Sequence, residues 1–120
     1  MKIDKKIIEM LGIQSNIDEV KIFKDNLIKH IKKRKHDNVL PYLDVIEDII
    51  SNPDFVGVSP KEPNTSMELI KVYDDNVLVA IKIHQSEQYF YVPTMYTITD
   101  YKLHSRLHGG RLKRFDKKNK

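Results

Sequence analysis

Lys29 to His36 read KHIKKRKH, with five Lys/Arg and two histidines in eight positions and no carboxylate among them. Cations at that density attract polyanions. Histidine adds what binding alone does not need, because an imidazole gives or takes a proton near neutral pH. The chain also carries His84, His104 and His108, the hydroxyls of Thr94, Tyr96 and Thr97, and the cations Lys82, Arg106 and Arg111. Metal-independent cleavage of RNA needs a base for the ribose 2′-OH, an acid for the leaving 5′-oxygen and donors for the charge that builds on the phosphate. Histidines, hydroxyls and Lys/Arg supply all three.

Each of these residues also has a plainer role. His30 fits a helix edge packed on a core, and His36 fits a cation that complements a helix C-terminus. His104 and His108 stand four apart on a helix, a metal-chelating spacing, but no carboxylate lies between them and no third ligand suggests itself. They read as a basic helix face, and no metal or other cofactor is expected. Tyr89, Phe90, Tyr91 and Tyr96 can stack on bases or fill a core, and strand alternation sends about half of them inward. Asp74, Asp75, Glu47 and Asp48 have no paired-acid spacing, which gives a Mg²⁺ nuclease site little support. No P-loop, GxGxxG, GxSxG or HExxH pattern is present, and the absence of cysteine excludes disulfides and a thiol nucleophile.

The elements that must position these groups change character halfway along. Ile3, Ile7, Ile8 and Leu11 share one helical face, ended by Gly12, and Leu27, Ile28 and Ile31 make the stripe of a second helix over 25–34. Pro41 is expected to start a third helix, with Leu43, Ile46, Ile49 and Ile50 buried, that stops at the Asn52-Pro53 step. A proline-rich loop follows, with a brief extended piece at 55–58. From residue 67 the period becomes two. Segments 67–73, 77–84 and 89–98 predict a three-stranded antiparallel meander in which Pro93 marks an edge or a bulge. Thr99 or Asp100 caps a short last helix that Gly109-Gly110 ends, and RLKRFDKKNK is left as a basic tail. The fold class is therefore α+β, with N-terminal helices packed on a small antiparallel sheet and one sheet face, carrying Lys82 and His84, partly open.

At 120 residues the chain suits one domain. The net charge of +4 is unevenly spread: residues 102–120 hold eight basic groups against Asp116, leaving the rest slightly acidic. No apolar run reaches membrane-spanning length, so a cytoplasmic protein without membrane contact is expected.

The succession LIKHIKKRKH, an apolar helix into IISNPDFVGV, the strands VLVAIKI and YVPTMYTI, and a closing KLHSRLHGGRLKRF resembles the phage-associated barnase–EndoU–colicin E5/D–RelE-like nucleases. The resemblance spans 22–115, making 1–21 an N-terminal helical extension and 116–120 a basic tail. It implies a toxin-like, phage- or mobile-element-associated endoribonuclease that cleaves tRNA or mRNA by 2′-OH attack, with an acidic antitoxin or immunity protein as a partner that would restrain it. Carried over, it implies His30, His36, Thr94, Tyr96 and Arg106 as catalytic residues. Lys32, Lys33, Arg34, Lys35, Lys82, Arg111, Lys113 and Arg114 would then bind nucleic acid. The competing reading is a non-catalytic nucleic-acid-binding or host-enzyme-inhibiting protein using the same basic surface.

Overall fold

The computed structural model describes residues 1–84 and 86–116. Four α-helices, α1 (Lys5–Met10), α2 (Lys24–Lys33), α3 (Ile46–Ser51) and α4 (Asp100–His108), accompany six strands. These are β1 (Val20–Lys21), β2 (Phe55–Val58), β3 (Ser66–Val72), β4 (Asn76–His84), β5 (Tyr89–Ile98) and β6 (Leu112–Arg114), in the sheet order β1-β5-β4-β3-β2-β6. The expected meander, β3-β4-β5, is the centre of this sheet. The sheet is twice that size and mixed, because β1 pairs in parallel with Phe90 and Tyr91. Its other edge recruits residues 55–58 and the segment expected to be a tail, with Leu112 to Arg114 pairing antiparallel to β2. Two and three residues are too few for a period-2 pattern to register. The rest of that tail, 117–120, lies outside the described residues.

Pro41 does not start an α-helix. It sits inside a 3-10 helix, Asp37–Val45, that leads into α3. The Pro41 ring leaves one backbone donor missing, which a short 3-10 run accommodates more readily than an α-helix interior.

One sheet face carries the main core. Ile7, Leu27, Ile31, Ile46 and Ile49 pack there against Leu69, Val79, Ile81, Phe90 and Met95, all fully or almost fully buried. Ile3, Ile8 and Ile13 belong to the same cluster, so the first helix shares the core of the sheet. On the opposite face α4 buries Leu103 against Phe55, Ile70, Leu78, Ile98 and Leu112. This second cluster reaches only as far as Ala80 and Tyr96. The remainder of that face is polar and uncovered by a helix.

A bulge in β5 decides what the open face displays. Ala80 pairs with Thr94 and Lys82 with Tyr91, so two steps on β4 oppose three on β5. The extra residue falls at Val92-Pro93, where proline's missing N–H costs no ladder bond. It also reverses the alternation: Phe90, Val92 and Met95 are buried in the main core while Tyr89, Tyr91, Thr94 and Tyr96 share the other side.

Candidate active site

His36 is held by the end of α2. The N–H of His36 donates to the Ile31 carbonyl at 2.9 Å and that of Lys35 to Lys32 at 3.1 Å, with Lys35 at φ 59°. This pair of bonds closes a helix C-terminus around a left-handed residue, a position usually given to glycine. Two residues further on, Asn38 Nδ2 donates to Thr97 Oγ1 at 2.8 Å and fastens the 3-10 helix to β5. Between these two restraints the His36 ring lies against Tyr96, with centroids 5.5 Å apart and planes tilted by 30°.

From Tyr96 the open face extends across the strands. Thr94, Ala80, Glu68 and Gly57 pair in succession and form one row on β5, β4, β3 and β2. Neighbouring strands are about 4.8 Å apart, so Thr94 and Glu68 are separated by about 10 Å over a floor made of the small Ala80. Glu68 is 5% exposed, and Arg111 donates to it from Nε at 3.0 Å and Nη2 at 2.8 Å. Gly57 makes that pair possible. A Cβ there would lie 2.3 Å from the Arg111 carbonyl oxygen, so only a glycine lets the backbone of Arg111 cross the strand this closely.

Arg106 lies in the last turn of α4, the helix that covers the second cluster on this side of the sheet. Thr99 caps that helix by accepting the Lys102 N–H, and the buried Asn76 donates to Asp100 Oδ1 at 2.7 Å and to the Ile98 carbonyl. With Leu103 and Leu107 turned into the second cluster, Arg106 occupies the flank beside them. Its Nη1 is buried and has no hydrogen-bond partner among the described residues. A buried guanidinium nitrogen without an acceptor is costly, so this side chain gains by turning outward to meet an anion.

The remaining candidates are dispersed. His30 is half-buried on the flank of α2, and Lys32, Lys33, Arg34 and Lys35 are exposed around the end of that helix. Lys82 lies on the open face in an ion pair with Glu62 at 2.9 Å, and this contact raises the lysine pKa and lowers that of the carboxyl. Arg111 is committed to Glu68, although only two of its five N–H groups are used there. Lys113 and Arg114 lie on β6, four strands from β5. That places them about 19 Å from the strand that meets His36. His104 and His108 are exposed on α4, and no cluster of three or more His, Cys, Asp or Glu suited to a metal occurs among the described residues.

Glu68 escaped the sequence reading. The segment MELIKVY places Glu68 between Met67 and Leu69, which are both inward, so alternation assigns it to the open face. Its burial there depends on Arg111, 43 residues away, which no local pattern reveals.

A family model described as phage-Barnase-EndoU-ColicinE5/D-RelE like nuclease 3 matches residues 1–105. No curated protein and no solved structure matches the chain. No helix among the described residues is long and apolar enough to cross a membrane.

Proposed function

The chain belongs to this phage-associated nuclease family, and on that premise we propose that it is a metal-independent endoribonuclease acting on single-stranded regions of tRNA or mRNA. The observation that carries the reading is the imidazole of His36, fixed against Tyr96 on the face that also displays Thr94. In this scheme His36 accepts the proton of the ribose 2′-OH as its oxygen attacks the adjacent phosphorus. The P–O5′ bond breaks, and the leaving oxygen takes a proton from the Tyr96 hydroxyl. Products are a 2′,3′-cyclic phosphate and a 5′-OH, and proton return from the His36 imidazolium to Tyr96 resets the pair. Arg106 and Thr94 donate to the non-bridging oxygens, for which the unpartnered Arg106 Nη1 is the supporting observation. His30 and the exposed Lys32 to Lys35 attract and orient the RNA backbone, and the same patch suits an acidic restraining protein.

The test is incubation of the purified protein with total RNA in EDTA, beside His36→Ala. Discrete fragments with 2′,3′-cyclic phosphate ends, absent from the variant, are expected. Intact RNA accompanied by salt-sensitive binding would overturn cleavage in favour of a binding or inhibitory protein on the same surface.

A further inference from the structure

Beyond α4, the open face ends in a cluster of rings that the cleavage scheme does not use. His84 lies 5.3 Å from Tyr89 and 6.0 Å from Tyr91, centroid to centroid, and Phe23 lies 6.1 Å from Tyr89. Lys21 holds its Nζ 4.4 Å over the Tyr89 ring, and Ser86 Oγ is 3.2 Å from His84 Nδ1. Tyr89, half-exposed itself, has Lys21 and Phe23 against its ring and backs the two neighbours. Tyr91 and His84 are half-exposed and line a shallow concavity together with Ile83 and Ser86.

We propose that Tyr91 and His84 form a base-stacking subsite for single-stranded RNA, remote from the reacting phosphate. The inference rests on the nuclease reading and extends it to substrate recognition. Three observations converge on a nucleobase. Aromatic faces inclined by 61° around a concavity offer a planar ligand one face and one edge. The nearby cation Lys21 is exposed, so a strand lying here meets positive charge. The β5 bulge places these rings on the same side of the sheet as Thr94 and Tyr96. Five steps of strand separate Tyr91 from Tyr96, about 15 Å, which leaves room for more than one nucleotide between the stacked base and the cleaved bond. Lys82, tied to Glu62, contributes little free charge, so recognition here comes from stacking.

The experiment compares binding of a 2′-O-methyl hexanucleotide, which lacks the attacking hydroxyl, with an abasic strand of equal length, by fluorescence anisotropy. Wild-type protein is expected to prefer the base-bearing strand by about 5- to 100-fold. Tyr91→Ala, Tyr91→Leu and His84→Ala each lose most of that preference, Tyr91→Phe keeps it, and the salt slope of Tyr91→Ala is unchanged because no phosphate contact is removed. Equal binding of the two strands by wild-type protein overturns the inference, as does full preference in Tyr91→Leu. The wild-type comparison can overturn the inference even if a variant fails to fold, and His84→Ala, on a different strand, tests the assignment separately from the Tyr91 variants. A wild-type preference without cleavage of total RNA would refute the nuclease reading while leaving the subsite intact.

Discussion

Replacing Arg111 with methionine strips Glu68 of both its guanidinium bonds while keeping most of the apolar stem. The Glu68 side chain is 7% exposed and that of Arg111 31%, so the carboxylate, once alone, has little access to water. Breaking a buried pair costs about 3–5 kcal/mol, and the partial exposure of Arg111 reduces this to about 2 kcal/mol. For a chain of 120 residues the unfolding entropy near the midpoint is about 250 cal/mol/K, which converts that loss to a Tm decrease of about 8 °C. Glu68→Met leaves a cation that can still turn toward solvent, and a smaller loss of about 1 kcal/mol follows. The double variant removes both charges and should be more stable than Arg111→Met alone, because no buried ion is left without its counter-ion. Urea unfolding of the four proteins measures the coupling. A double variant whose loss equals the sum of the two single losses would refute the reasoning, since it would mean that the two side chains do not share one electrostatic interaction.

Gly57→Ala drives a Cβ to 2.3 Å from a backbone oxygen and 3.0 Å from Leu112 Cδ2, so β6 must shift. A loss of about 1–3 kcal/mol, read by urea unfolding, should accompany loosening of the Arg111–Glu68 pair. Lys35→Gly relieves a left-handed backbone in a residue with a side chain and should raise stability by about 1 kcal/mol, seen as a higher midpoint in thermal unfolding. Tyr73 donates to Asp48 at 2.8 Å; this bond lowers the Asp48 pKa, while burial and then the same bond raise that of Tyr73. The depressed carboxyl contributes stability above the unfolded value of about 4, lost as pH falls through the folded pKa. The raised phenol contributes below about pH 10, and this is lost as pH rises toward its folded value. Wild type should therefore exceed Tyr73→Phe by about 1 kcal/mol between those limits, with the gap closing on both sides in denaturation midpoints measured across pH.

The central strands were legible because β3, β4 and β5 each repeat apolar residues over seven or more positions. Pro93 announced an edge or a bulge through its missing donor, and the structure has the bulge. What the alternation could not give was phase. Tyr91 and Phe90 are chemically similar, and only the pairing of Lys82 with Tyr91 decides which of them faces outward. The edge strands were hidden by brevity, and β6 also by its charge, since LKR earns its place through pairing with residues 55–57. The contact of His36 with Tyr96 joins elements 60 residues apart. Sequence order could nominate both residues, but only the β5 edge meeting the end of α2 brings them together.

The extra residue of β5 makes the way a strand absorbs it, as well as chain composition, a determinant of the protein's chemistry. Deleting Pro93 would let two steps on β5 oppose two on β4, so the bulge would vanish while Phe90 and Val92 kept the core and Tyr89, Tyr91, Thr94 and Tyr96 kept the open face. Pairing the present chain without a bulge would instead turn Phe90 toward solvent and carry Tyr89 and Tyr91 into the main core, because strand side chains alternate strictly. The two ends of the open face are thus like two gears keyed to one shaft by a single tooth. Substitutions can tune either end separately, whereas flattening the bulge at unchanged length disengages one from the other.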